Sequence, residues 1–245
     1  MKNVSTLGNL AALMKTGLRG AIFVSTILWL PLQLAAQTTV PLSGGDPGQG
    51  LTLDPAKVLF AYSLNATSST TVQGVTFVPL ALGSLFPTTL DPFAAGQASA
   101  HDNALRGLLQ RVTWDQRGGS PIHTTFSGLV PNGQYQLDVL QWSGAYASRE
   151  QAIVVNGSLV AITTVTIGSG TAQNTYFNTY ADAAGQIEFL MQQSGFYGGT
   201  GNQDGAIVNA LVLSNVSAVP EPSTYAAIFG VVVLGFAAYR RRRTA

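Results

Sequence analysis

The 245-residue sequence predicts a mostly β protein, an antiparallel β-sandwich with one short helix. Three observations predict it. About ten short segments rich in Val, Ile, Phe and Tyr recur between Val58 and Leu213, each bounded by Gly, Pro, Asn or Ser. Within 134–142, Tyr135, Leu137 and Val139 alternate with Gln136 and Asp138, the pattern of a half-buried strand. Asn156-Gly157 joins two such segments, and this pair accepts the positive φ of a type I′ hairpin turn. There is no cysteine, so the core alone must hold the fold.

Residues 37–57, rich in Gly, Pro, Ser and Thr, read as a leader loop, and 58–216 as the domain. Strands are expected at 58–64 and 72–80, separated by a polar turn at 65–71. Pro87 and Pro92 make 86–95 irregular. The spacing of Leu105, Leu108 and Leu109 predicts a helix over 98–110 with a buried stripe, capped by Ser99 or Asp102. Further strands follow at 110–114, 121–127, 134–142, 151–155, 159–167, 175–180, 186–192 and 206–213, with a turn at 115–119. Regular short strands of this kind suit a sandwich.

Both ends read as targeting elements. Lys2, Lys15 and Arg19 precede an apolar run over 20–36, a secretory signal peptide whose cleavage is expected after Ala36, with an uncleaved anchor as the alternative. At the other end Val219-Pro220-Glu221-Pro222 must be extended and non-helical because each proline restricts its predecessor. An apolar stretch at 225–239 then reads as a transmembrane helix. At 1.5 Å per residue it reaches roughly 22 Å against a hydrocarbon core of ~30 Å. Arg240, Arg241, Arg242 and Arg243 close the gap by snorkelling and hold the tail 240–245 on the cytoplasmic side.

Pro-Glu-Pro, a short membrane helix and a terminal basic cluster, over about the last 27 residues, resemble the PEP-CTERM sorting signal of Gram-negative bacteria that make exopolysaccharide. The same motif is also named after the C-terminus of ice-binding proteins. The resemblance implies that the secretory translocon and signal peptidase export the chain. It further implies that an exosortase-type membrane protease recognises Pro220, Glu221 and Pro222 within the sorting and linker segment 217–224. The route is an inner-membrane intermediate followed by the cell surface or extracellular matrix.

Removing both ends leaves five basic residues (Lys57, Arg106, Arg111, Arg117 and Arg149) against ten acidic ones. The exported part is therefore net acidic and lacks the basic footprint of a nucleic-acid-binding protein. The segments Val72-Gln73-Gly74-Val75-Thr76-Phe77, the helix at 105–109, the turn and strand at 128–135, Arg149 with Val155-Asn156-Gly157, and 204–211 resemble galactose-binding-like or malectin-like jelly rolls. That resemblance implies a carbohydrate-binding module, with exopolysaccharide as the candidate partner.

No catalytic constellation is evident. His101 and His123 are the only histidines, and neither G-x-S-x-G nor H-E-x-x-H occurs. Asp115, Asp138, Glu150 and Glu188 are the carboxylates that would have to approach in a glycoside hydrolase. The glycine-rich loop 195–205 reads as mobile. Asp204 with loop carbonyls is a candidate for a structural Ca²⁺, although one carboxylate is too few to claim a site. Sugar rings stack on aromatic side chains while Arg and amides bond their hydroxyls. Trp142, on the parity of Gln136 and Asp138, with Tyr146 and Arg149, is therefore the expected ligand site. The alternative is that Trp142 turns into the core at a bulge and Arg149 pairs with Glu188 or Asp138; Trp114, which shares parity with Val112, is expected to pack in the core. The reading is a non-enzymatic glycan-binding surface protein. A structural biofilm-matrix protein without ligand is the alternative, followed by a hydrolase; ice binding lacks a regular Thr-x-Thr ladder.

Overall fold

The computed structural model describes residues 37–44, 46, 49–87, 90–93, 102–114, 121–144, 148–201 and 205–216. The expected signal peptide with Ala36, the sorting motif, membrane helix and arginine tail, Ser99, His101, the turn at 115–119 and Asp204 lie outside these residues. The elements are β1 (Thr38–Pro41), β2 (Val58–Leu64), β3 (Thr70–Val72), β4 (Val75–Leu80), β5 (Ser84–Pro87), α1 (Asn103–Leu109), β6 (Arg111–Trp114), β7 (Ile122–Phe126), β8 (Gln134–Gln141), β9 (Arg149–Val155), β10 (Ser158–Val165), β11 (Gln173–Tyr180), β12 (Ile187–Gln193), β13 (Ile207–Val208) and β14 (Ala210–Asn215). A seven-stranded sheet runs β1-β11-β8-β14-β2-β4-β3, a four-stranded sheet β10-β9-β12-β7, and a small sheet β13-β6-β5. Among the described strands pairing is antiparallel, except that β2 runs parallel to β4; an isolated parallel bridge joins Ser143 and Ile167.

Alternation decides the layers. On β8 the odd-numbered Tyr135, Leu137 and Val139 are buried, and they meet Ile153, Val155, Phe189 and Met191 from the four-stranded sheet in one cluster. That cluster is the sandwich core, with each fully buried large side chain contributing ~1.5–3 kcal/mol. The expected sandwich is present. Asn156 at φ 48° and Gly157 at φ 73° turn β9 into β10, as the Asn-Gly pair predicts.

A second core lies on the opposite face of the seven-stranded sheet. There Leu140, Trp142, Ala210 and Val212 pack under Leu105, Leu108 and Leu109 of α1, together with Phe77 and Phe93. The outer face of β8 therefore changes along its length, from polar at Gln136 and Asp138 to apolar at Leu140, because α1 covers only one end.

Several boundaries differ from expectation. The stretch read as a leader loop contributes β1, which pairs with β11, and buries Leu42 and Leu51 at 1% exposure each. The apolar residues of an otherwise polar stretch found partners distant in sequence. The strand expected at 72–80 is a hairpin, because Gln73 and Gly74 take φ of 50° and 76° and pair Val72 with Val75. Asn209 splits the strand expected at 206–213. Its Oδ1 accepts from the Trp142 N–H at 2.6 Å and its Nδ2 donates to the Leu109 carbonyl at 2.6 Å. Asp102 occupies the N-cap position of α1, but its side chain makes no capping bond. In the loop expected to be mobile, a 3-10 turn at Ser194–Tyr197 is tied to β9. Glu150 Oε1 accepts there from Ser194 Oγ at 2.6 Å and from the Gly201 N–H at 2.9 Å.

Candidate functional site

The polar end of the outer face forms an open depression. Register places Asp138 of β8 between Tyr176 of β11 and Val212 of β14, and places Gln136 opposite Ser214. Two adjoining clefts share Thr52, Gln136 and Asp138. One, about 370 Å³, extends to Lys57, Ser214 and Asn215; the other, about 420 Å³, extends to Gly50, Asn174 and Tyr176. Both volumes fall within the ~300–1,000 Å³ of ordinary ligand pockets.

One wall is the loop joining β1 to β2, and it is held from a distance. Gln73, in the β3–β4 turn, accepts from the Leu53 N–H at 2.7 Å and donates to the Leu51 carbonyl at 2.9 Å. Gly50, at φ +91°, sits against the Pro41 carbonyl, where a Cβ would collide. Only glycine lets the wall fold this closely over the sheet edge.

Asp138 is the electrostatic centre of the floor. It is 4% exposed, accepting from Asn174 Nδ2 at 2.8 Å and from Gln136 Nε2 at 2.9 Å. Burial pushes its carboxyl pKa above the ordinary aspartate value, and the bonds from Asn174 and Gln136 oppose that shift. Asn174 Oδ1 is a buried acceptor with no partner among the described residues. Orphaned acceptors of this kind are uncommon in folded proteins, and a donor supplied by a ligand would satisfy this one. Beside these groups stands the half-buried ring of Tyr176.

The expected ligand site is not assembled. Trp142 does have the parity of Gln136 and Asp138, yet it is fully buried in the second core, with Nε1 donating to the Gly168 carbonyl at 2.9 Å. Leu140 shares this parity and was the signal that the face becomes apolar there. Arg149 is 3% exposed and does not pair with Glu188 or Asp138 as the alternative had it. Its guanidinium carbon lies 5.6 Å from the centre of the Trp114 ring, a cation–π contact. Trp114 is half-buried and packs against the second core. Tyr146 lies outside the described residues.

The carboxylates are also dispersed. Asp138 faces the outer cleft, whereas Glu150 binds Ser194 at one end of β9 and the Glu188 N–H binds Asn156 just beyond the other end. Six residues of strand separate Glu150 from Asn156, roughly 20 Å. His123 Nε2 lies 2.9 Å from Glu188 Oε1 on the surface. Asp115 is outside the described residues, and among those described no cluster of three metal-ligating side chains occurs. Sequence reasoning identified Asp138 and Gln136 as polar-face residues, but it missed Asn174, which precedes the expected strand start, and Thr52, which reaches the site from a loop.

The PEP-CTERM protein-sorting motif matches residues 218–243, which include Pro220, Glu221, Pro222 and the four arginines. The motif implies export and processing by an exosortase at the membrane of a Gram-negative bacterium. No curated protein matches the sequence. Among solved structures, the plant receptor-like kinase ANX2 is similar with a TM-score of 0.53 and 11% identity, over 74% of this chain and 54% of that one. The plant receptor-like kinase ANX1 gives a TM-score of 0.51 and 14% identity, over 73% and 54%. The chain thus spans about half the length of these receptors. The CBM35 from Cellvibrio japonicus Abf62 is a more distant likeness, with a TM-score of 0.37 and 11% identity over 64% of this chain and 95% of that one. At these identities the two receptor structures speak to fold alone.

Proposed function

We propose that this PEP-CTERM-sorted chain is a non-enzymatic carbohydrate-binding protein of the bacterial surface or matrix, which holds exopolysaccharide in the outer-face cleft. The observation that carries the reading is the buried Asp138–Asn174 pair under an open cleft, with one acceptor of Asn174 left over. Sugar hydroxyls are paired donors and acceptors. The Asp138 carboxylate accepts from them, the Gln136 and Asn174 amides do either, and Tyr176 offers an apolar face to the C–H side of a ring. Hydrolysis needs two carboxyl groups within about 5–10 Å; the second carboxylate lining the cleft, Asp54, is paired with Lys57 at 3.7 Å, and Glu150 and Glu188 lie elsewhere, which favours binding.

The test is retention of the protein recovered from the cell surface on the cell's own polysaccharide. Tyr176→Ala removes a half-buried ring at the cleft and leaves both cores intact. Retention is expected to fall about tenfold, the ~1.4 kcal/mol of one stacking contact. Unsaturable or unchanged retention would instead favour a matrix protein with no specific ligand.

A further inference from the structure

At the other end of the same face, between the β2–β3 turn and α1, lies a pocket of about 220 Å³. That is smaller than the ~300 Å³ at which pockets for larger organic ligands begin, so it fits one small group rather than a length of chain. Six of its ten lining residues are polar, with four hydroxyls, an amide and a cation: Ser63, Ser68, Ser69, Thr70, Asn103 and Arg111; the other four are small or apolar. We propose that this pocket is a second ligand site, which takes a small oxyanion on Arg111.

Three observations point there. Lys57 and Arg106 are ion-paired with Asp54 and Asp91, and Arg149 is buried over Trp114, whereas among the described residues Arg111 has no carboxylate partner. Its side-chain hydrogen bond among the described residues, Nη2 to Thr67 Oγ1, is a long 3.4 Å. A guanidinium with an open fork beside several hydroxyls matches the geometry of carboxylate and sulfate oxygens. Second, Ser63 is 1% exposed and its Oγ has no hydrogen-bond partner among the described residues, although it lines the pocket. Buried hydroxyls ordinarily have a partner, and an oxyanion accepts from a hydroxyl. Third, Gly107 sits mid-helix on the pocket wall, where glycine is the poorest helix former after proline. A Cβ there would meet nothing within 4 Å, so no close contact requires glycine; its effect is to keep the wall open. Asp102, the acidic residue next to Asn103, lies against Gly44 and does not line the pocket.

The oxyanion has two sources, a free inorganic ion or the acidic group of a polysaccharide. Calorimetric titration of the full chain in detergent micelles distinguishes them, using sodium sulfate, a uronate-containing oligosaccharide and its carboxyl-reduced neutral counterpart. Binding of sulfate alone assigns the site to a free ion. Tighter binding of the uronate oligosaccharide than of its neutral counterpart, by a margin that Arg111→Gln removes, assigns it to an acidic polysaccharide. In either case Arg111→Gln is expected to weaken binding at least tenfold. Gly107→Met is expected to abolish binding by filling the pocket, with an unfolding midpoint no lower than that of the wild type. His123→Gln, on the surface of the four-stranded sheet, is expected to leave it unchanged. Failure of both acidic probes to bind, or undiminished binding by Arg111→Gln or by folded Gly107→Met, would overturn the proposal.

Discussion

Asp138 shows how one side chain links the cleft to pH. Its folded pKa is raised by burial, so between the ordinary aspartate value of 3.8 and the folded value the native state holds more protons than the unfolded chain. Its contribution to stability is therefore full below that ordinary value and is lost as pH rises through the folded pKa. Asp138→Asn removes this dependence. Urea unfolding between pH about 4 and 7 is expected to show the Asn variant gaining on the wild type as pH rises; the reverse trend would mean that the bonds from Gln136 and Asn174 outweigh desolvation. Trp142 is a residue of the opposite kind. Its ring fills the second core, and Trp142→Ala is expected to cost about 3–5 kcal/mol in urea unfolding. Any loss of glycan retention in that variant should follow from unfolding, whereas Tyr176→Ala should lose retention while folded.

At the scale of elements, the junction between β13 and β14 matters most, because it joins sheet, helix and second core. Asn209 interrupts the strand so that its side chain can bridge Trp142 of the sheet and Leu109 of α1. Asn209→Ala leaves a buried N–H and a buried carbonyl without these partners, at ~1–3 kcal/mol each. The expected loss is about 2–6 kcal/mol, again read by urea unfolding. A loss below about 1 kcal/mol would mean that water replaces both bonds. The β3–β4 hairpin has a comparable role in the cleft, since Gln73 at its tip fixes the loop carrying Thr52. Neither role is visible from strand propensity, which registers only that Asn209 is a poor strand residue.

For the whole molecule, the sorting motif and the domain make separate claims. The motif predicts that protein recovered from the surface or medium ends near Pro220, Glu221 and Pro222 when the exosortase is present, and by intact mass retains Arg240 to Arg243 when it is absent. Identical masses in both backgrounds would count against processing. The domain's two outer-face sites lie at opposite ends of one sheet: Ser214 at the cleft and Ser63, opposite Ala210, at the pocket, with α1 covering the apolar part toward the pocket. The proposed sugar cleft and the proposed oxyanion pocket, on one face, suit a polymer that carries both hydroxyl and acidic groups.

What the sequence by itself determined is whatever depends on local chemistry. The alternation at Tyr135, Leu137 and Val139, the Asn156-Gly157 turn, the leucine stripe of α1 and the order of Pro-Glu-Pro, apolar run and arginines could all be read from neighbouring residues. What only the tertiary structure decided is what each outer face meets. Parity put Trp142 and Asp138 on the same side of β8, but parity cannot say that α1 covers one and leaves the other beneath an open cleft. Likewise Leu42 and Leu51 became core, and Asn174 and Thr52 became cleft, through partners more than 30 residues away in sequence. Which part of an outer face is covered is a property of the assembled layers, and no local pattern encodes it.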